Sequence, residues 1–316
     1  MIADVVLPVF GLIGIGYAVA WLRLLPERTD EPLTDFVFTI AIQLLLFRTV
    51  VAADFTHGSP WLLWAAYFPV LAVTWAAGTF LMRRVFGRDA RAGLVGGVSA
   101  SYSNTLLIGL PLVILAYGTE GGAAMALLLA VHLVVMMAAS TALIERALVK
   151  DRVATHSGSV GDILRSLARN LLLSPVFIGI IAGNLWNFSG LALPPLADTL
   201  INRLADVAAT LALFAMGMTL RKFGLRGNIL PALGLGALKL AVMPAMVFAT
   251  TLWLFPLPPA WAKAMVIAAA CPTGVNAYLI ATRFRTGEAL SSNAIILTTA
   301  LAVVSVSVWL GILERF

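Results

Sequence analysis

Two short polar runs in an otherwise apolar chain hold most of the residues whose types and spacing could do chemistry. The first reads Ala100-Ser101-Tyr102-Ser103-Asn104-Thr105-Leu106-Leu107-Ile108-Gly109-Leu110-Pro111. The second reads Ala270-Cys271-Pro272-Thr273-Gly274-Val275-Asn276-Ala277-Tyr278. Proline removes a backbone donor and clashes with the preceding turn, and Ser, Asn and Thr offer the freed backbone competing hydrogen bonds. Each run is therefore expected to interrupt a helix. A half-helix that restarts after a break aims unpaired N–H groups and a positive dipole end at the gap, which suits an anion. In that chemistry Asn104 and Asn276 supply amides and Ser103, Thr105 and Thr273 supply hydroxyls, while Pro111, Pro272 and Gly274 set the breaks. The plainer reading is two proline kinks whose polar side chains bind helices together.

Other polar residues fall inside apolar stretches. Lys239 sits about ten residues, roughly 15 Å, into its stretch, where a lysine costs about 2.5–3.5 kcal/mol. It is either a counter-charge for an anion, or a standing cation where a coupling ion would bind, or a lysine satisfied by carbonyls at a helix end. His132 offers either a group that titrates near neutrality or a hydrogen-bonded packing histidine. Gln43, Cys271, Tyr278 and His132 stand as further candidates for a pocket wall. Arg203 and Asp206, three apart, are expected to pair on one helix face near the membrane rim. Arg48 is expected to snorkel, and His57 and His156 to be solvated. Trp61, Trp64, Trp186, Trp253 and Trp261 cluster near predicted interfaces, as an aromatic belt does.

Several classes are disfavoured. A single cysteine among 316 residues makes a disulfide framework untenable and a cysteine metal site improbable. The sequence contains no His-Glu-x-x-His, no phosphate-binding Gly-Lys-Ser/Thr loop and no Gly-x-Ser-x-Gly elbow. No enzyme, metal or cofactor is expected, and movement of a solute would draw on proton or Na+ gradients. No carboxylate stands at the centre of the stretches that carry the polar runs, so a proton relay of buried Asp or Glu has few candidates.

The elements that must position these residues are membrane spans. Apolar residues make up 61% of the chain and charged ones 11%, against roughly 45–50% and about 25% in soluble domains. Crossing about 30 Å of hydrocarbon takes roughly 20 apolar residues. Ten such stretches fall near 4–22, 33–53, 61–82, 91–116, 121–144, 170–188, 196–220, 229–255, 260–282 and 289–313. The fold class is an all-α membrane protein of ten transmembrane helices, with discontinuous helices 4 and 9. The joints after spans 1, 3, 5, 7 and 9 hold 16 of the 21 Lys and Arg, and the opposite side holds two, Lys263 and Arg315. That asymmetry places those joints in the cytoplasm and both termini outside it. It also reads the basic charge as topology in a cytoplasmic membrane rather than as a nucleic-acid footprint. The start, Met1-Ile2-Ala3-Asp4, lacks the basic region of a cleavable leader, so the first stretch is read as a retained span.

The halves resemble each other. An offset of 167 carries Leu7-Pro8-Val9-Phe10 onto Ser174-Pro175-Val176-Phe177, and Leu44-Leu45-Leu46-Phe47 onto Leu211-Ala212-Leu213-Phe214. Five spans per half is an odd number, so the second half enters the membrane from the opposite face, a plan common in secondary transporters. The division is a first repeat at 1–145, a cytoplasmic connector at 146–169 and a second, inverted repeat at 170–316. The same offset sets Asn104 on Cys271, beside Pro272.

On the Leu-Pro-Val-Phe opening, the Asn-Thr…Gly-Leu-Pro run at 104–111, Pro-Thr-Gly-Val-Asn-Ala at 272–277 and Lys239-Leu240…Pro244, the chain resembles the auxin efflux carrier family. That family includes plant auxin exporters and bacterial carriers of small dicarboxylates. The resemblance covers essentially the whole chain. It implies a transport domain crossing at spans 4 and 9, a scaffold that often forms a homodimer, and an elevator-like movement between them. The chain departs from the family's pattern at Gln43, where proline is usual, and at Leu106, where glycine is common. The expected function is secondary transport of small organic anions, such as malonate, malate or auxin-like acids. A sodium-coupled bile-acid-type symporter and a non-transporting membrane sensor remain alternatives.

Overall fold

The computed structural model describes residues 2–55, 58–150, 161, 165, 169, 174–225, 227 and 229–316. His57, His156, Arg226 and most of the expected connector lie outside the described residues. Among the described residues the chain is all helix, broken by one isolated antiparallel bridge. The helices are α1 Ile2–Trp21, α2 Asp30–Val51, α3 Pro60–Val85, α4 Ala90–Ser101, α5 at 105–117, α6 at 119–150, α7 Pro175–Ser189, α8 Pro195–Leu220, α9 Leu230–Leu254, α10 Pro259–Ala270, α11 Asn276–Arg283 and α12 Glu288–Leu313.

Among the described residues, seven helical runs are long and apolar enough to cross a membrane. One of them, Thr105–Ala147, has 43 residues, about twice what the hydrocarbon requires. It divides at Gly118, whose φ of 61° and ψ of −150° belong to a region that essentially only glycine visits. That single residue turns one run into α5 and α6.

The remaining boundaries follow local chemistry. Asp89 caps α4 by accepting from the Ala92 N–H at 2.7 Å. Prolines open α3, α7, α8 and α10, where the missing N–H costs nothing. α7 begins at Pro175 rather than near residue 170, because Ser174 is extended before its proline. α6 runs on to Lys150, six residues beyond the expected end.

Two helix pairs cross closely. α1 packs on α8, and α2 packs on α7. A Cβ on Gly16 would lie 2.1 Å from the Phe214 carbonyl oxygen, and one on Gly183 would lie 2.9 Å from the Phe47 carbonyl oxygen. These two contacts map onto each other under the 167-residue offset, since 16 moves to 183 and 47 to 214. Only glycine lets the backbones approach this far.

Side-chain ties add to the α2–α8 contact. At one end Arg48 Nη1 meets Asp206 Oδ1 at 2.6 Å and Asn202 Oδ1 at 3.3 Å. At the other, Lys222 Nζ meets Asp30 Oδ2 at 2.8 Å and Glu31 Oε1 at 3.1 Å. The expected Arg203–Asp206 pair is therefore replaced: Asp206 turns to Arg48 on the neighbouring helix, which gives that arginine a partner instead of leaving it to snorkel. Trp61 and Trp253 are 76% exposed, as a belt requires, but Trp261 is 3% exposed and packs over Gly58. Trp261 is a core residue and not part of the belt.

Candidate functional site

The first polar run ends α4. Tyr102 takes φ −81°, ψ 100° and Asn104 takes φ −77°, ψ 63°, so Tyr102, Ser103 and Asn104 leave the helix. The second run ends α10. Cys271 takes φ −59°, ψ 148°, the extended conformation that a following proline imposes, and the chain re-enters a helix at Asn276.

The two gaps lie side by side as a minimal antiparallel pair. Ser103 bridges Thr273. The Asn104 N–H donates to the Pro272 carbonyl and the Gly274 N–H donates to the Tyr102 carbonyl, both at 2.8 Å. This pairing satisfies backbone that would otherwise be orphaned at membrane depth. The bridge sets Ser103 against Thr273 and Asn104 against Pro272.

Side chains lock the pair. The Thr273 hydroxyl donates to the Ser99 carbonyl at 2.7 Å, and the Thr273 N–H donates to Thr298 Oγ1 on α12 at 3.0 Å. Asn276 Nδ2 donates to Tyr102 Oη at 2.8 Å, and Ser103 Oγ lies 3.3 Å from Tyr67 Oη.

A cavity of about 180 Å³ opens against the pair, lined by Ser103, Asn104, Thr105, His132, Gly274 and Asn276 together with neighbours that include Phe38, Tyr102 and Ser174. At about 30 Å³ per water, it has room for roughly six waters. The first turns of α5 and α11 begin at its wall, and the Ala277 and Tyr278 N–H groups of α11 already donate to the Gly274 and Val275 carbonyls, each at 3.0 Å. The Asn104 carbonyl receives the Ile108 and Gly109 N–H groups at 3.3 and 3.1 Å through a wide turn at Thr105–Gly109.

His132 is 1% exposed, stands edge-on to Tyr102 and Tyr67 with ring centroids 5.1 and 5.8 Å away, and has Nδ1 3.4 Å from Thr105 Oγ1. Its Nε2 is buried with no hydrogen-bond partner. Asn104 Nδ2 has only a weak sulfur contact, 3.7 Å to Met216 Sδ. A buried polar group left so poorly satisfied calls for an explanation, and both residues line the cavity.

Several expected residues lie elsewhere. Lys239 is fully buried, yet its ammonium donates to the Ala269 carbonyl at the end of α10 and lies 3.7 Å from Met243 Sδ. It satisfies a helix-end carbonyl and does not line the cavity. Pro111 follows the wide turn at Thr105–Gly109 and Pro244 follows another at Leu238–Val242. Each proline is placed to widen the turn before it, and the α4–α5 gap itself contains no proline. Gln43 donates to its own helix at the Thr39 carbonyl beside Gly179. Cys271 is buried against Gly109, and Tyr278 packs on Phe223 at 5.0 Å.

The sequence reading missed Tyr67, Phe38, Ser174 and Met216. Ser174 belonged to the quoted repeat motif, but the other three stand within apolar spans where nothing nearby distinguishes them.

An all-helical chain with so many apolar runs long enough to cross a bilayer belongs to the class of polytopic membrane proteins. The sequence profile of the family described as "Membrane transport protein" matches residues 1–310, and the chain belongs to that family. The resemblance to the auxin efflux carriers is thereby borne out: the chain is a transporter and not an enzyme. A protein of Rhizobium meliloti (strain 1021) named "Putative malonate transporter" is 28% identical over 327 residues, covering 97% of this chain and 94% of its own length. One from Methanothermobacter thermautotrophicus (strain Delta H) named "Uncharacterized transporter" is 24% identical over 307 residues, covering 97% and 96%.

Proposed function

We propose that this chain is a secondary transporter of small organic anions, with mono- and dicarboxylates such as malonate and malate foremost. The observation that carries the reading is the cavity against the two paired breaks, whose largely apolar wall carries the polar groups of Asn104, Asn276, Ser103, Thr105 and His132. A seven-heavy-atom dicarboxylate suits a space of about 180 Å³. The Asn104 amide and the His132 Nε2 atom would meet its oxygens. The name carried by the Rhizobium relative supports the same substrate class.

In this reading the chain makes ten spans in two inverted repeats, counting α4–α5 and α10–α11 each as one broken span. The mapping of Gly16–Phe214 onto Gly183–Phe47 supports that count. Helices α1, α2, α7 and α8 form a scaffold tied by close glycine crossings and by the Arg48 and Lys222 contacts. The other helices carry the cavity past it in an elevator-like movement. The resemblance adds a homodimer to the reading, and the basic joints favour a cytoplasmic membrane with both termini outside the cytoplasm.

The test is uptake of labelled malonate and malate into proteoliposomes under separate proton and Na+ gradients, for wild type and Asn104→Ala. Uptake by wild type alone supports the reading, and the effective gradient names the coupling ion. Equal uptake by the variant would remove the cavity from the account. Uptake that requires Na+ and prefers bulky amphipathic acids would point instead to the bile-acid-type symporter.

A further inference from the structure

A second concavity, about 830 Å³, lies between α3, the start of α4 and α6. Its floor is apolar, with Leu71 and Trp75 on α3 facing Met136 and Leu143 on α6. One end closes at Phe68; the other carries Arg83, Arg84 and Arg88, all exposed. From Phe68 to Arg83 is roughly 22 Å of helix at 1.5 Å per residue, more than the roughly 15 Å of one leaflet's hydrocarbon. Among the described residues none of these three arginines has a carboxylate partner within bridging distance. Asp89, the next acidic residue along, caps α4 and lies 3.9 Å from Arg91. Behind the groove wall, Trp75 and Thr79 pack against Gly97 of α4. Trp75 is 5% exposed, and its Nε1, like Thr79 Oγ1, is buried with no hydrogen-bond partner.

Guanidinium groups at one end and an apolar trough beyond them match the parts of an amphiphile in order. We propose that this groove binds one anionic phospholipid. Its phosphate lies on Arg83, Arg84 and Arg88. One acyl chain runs between Leu71 and Met136 toward Phe68. A free anion would use the arginines and leave the trough empty. By the distribution of basic joints this end faces the cytoplasm, where the leaflet is anionic and each surface Lys or Arg contributes about 1 kcal/mol of attraction. The acyl terminus stops one ring short of the substrate cavity, because Phe68 stands 6.4 Å from His132. The inference needs only that the chain spans a bilayer and stands whether or not malonate is the substrate.

The test takes the full protein in micelles containing equal phosphatidylglycerol and phosphatidylcholine, read by native mass spectrometry. Wild type is expected to retain phosphatidylglycerol preferentially. Arg83→Gln/Arg84→Gln/Arg88→Gln should lose that preference about tenfold or more, and Ala76→Trp, which fills the trough and keeps the charges, should lose it too. A second measurement needs no change at the arginines: brominated phosphatidylglycerol should quench wild-type fluorescence by an increment that disappears in Trp75→Phe. Equal retention of both lipids by wild type, an unchanged preference in the arginine variant, or displacement by inorganic phosphate as readily as by lipid would each overturn the proposal. Crosslinks that place residues 151–173 in the groove would overturn it as well.

Discussion

Thr273→Val isolates what holds the two breaks together. Valine keeps the shape of threonine and the backbone N–H that Thr298 receives, and removes only the hydroxyl that donates to the Ser99 carbonyl at 2.7 Å. That carbonyl lies in the last turn of α4, where the donor an intact helix would offer, the N–H of Ser103, has left the helix. Thr273 and Ser99 are both fully buried, so water cannot replace the lost bond. A buried orphan acceptor costs about 1–3 kcal/mol. The expected result is a lower unfolding midpoint, with the loss largely restored in Thr273→Ser, which regains the donor. Asn104→Ala sets the contrast, because its amide contributes only a long sulfur contact and its removal should leave the midpoint nearly unchanged. The assay is thermal or denaturant unfolding of the purified protein in one detergent. A Thr273→Val midpoint equal to wild type would refute the reasoning that this hydroxyl clamps the pair.

Two further outcomes follow from the scaffold. Gly217→Ala would put a Cβ 2.0 Å from the Ile13 carbonyl oxygen, forcing α1 and α8 apart by more than an ångström at about 1–3 kcal/mol; Gly14→Ala, with nothing within 4 Å, should melt with wild type in the same assay. Burial opposes the charge on Lys222, but hydrogen bonds to Asp30 and Glu31 outweigh it and raise its pKa above the ordinary 10.5. A raised lysine adds stability at lower pH and loses it as pH climbs through the folded value. Unfolding midpoints of wild type and Lys222→Gln should therefore run parallel from pH 6 to 9 and converge only in strong alkali.

The breaks were legible because the sequence changes character there: polar side chains, glycine and Cys271-Pro272 stand in apolar helices. Their pairing was not, since a bridge between Ser103 and Thr273 depends on how two distant spans cross. The charged residues were misread for a related reason. Helical spacing puts Arg203 near Asp206, yet α2 brings Arg48 closer, and spacing within one helix carries no information about a neighbour. Lys239 was ambiguous until its acceptor was known. That acceptor, the Ala269 carbonyl, is a backbone atom whose freedom comes from the break two residues later. Tyr67 and Phe38 reach the site from ordinary spans, and nothing in their local sequence marks them.

Malonate binding to the purified protein, followed by calorimetry, tests the central claim most directly. Wild type should bind saturably. Asn104→Ala should fold normally but bind about 10- to 100-fold more weakly, the loss of one hydrogen bond to a charged group at about 1.5–3 kcal/mol. Wild-type affinity in Asn104→Ala would place the anion away from the paired breaks and contradict the account.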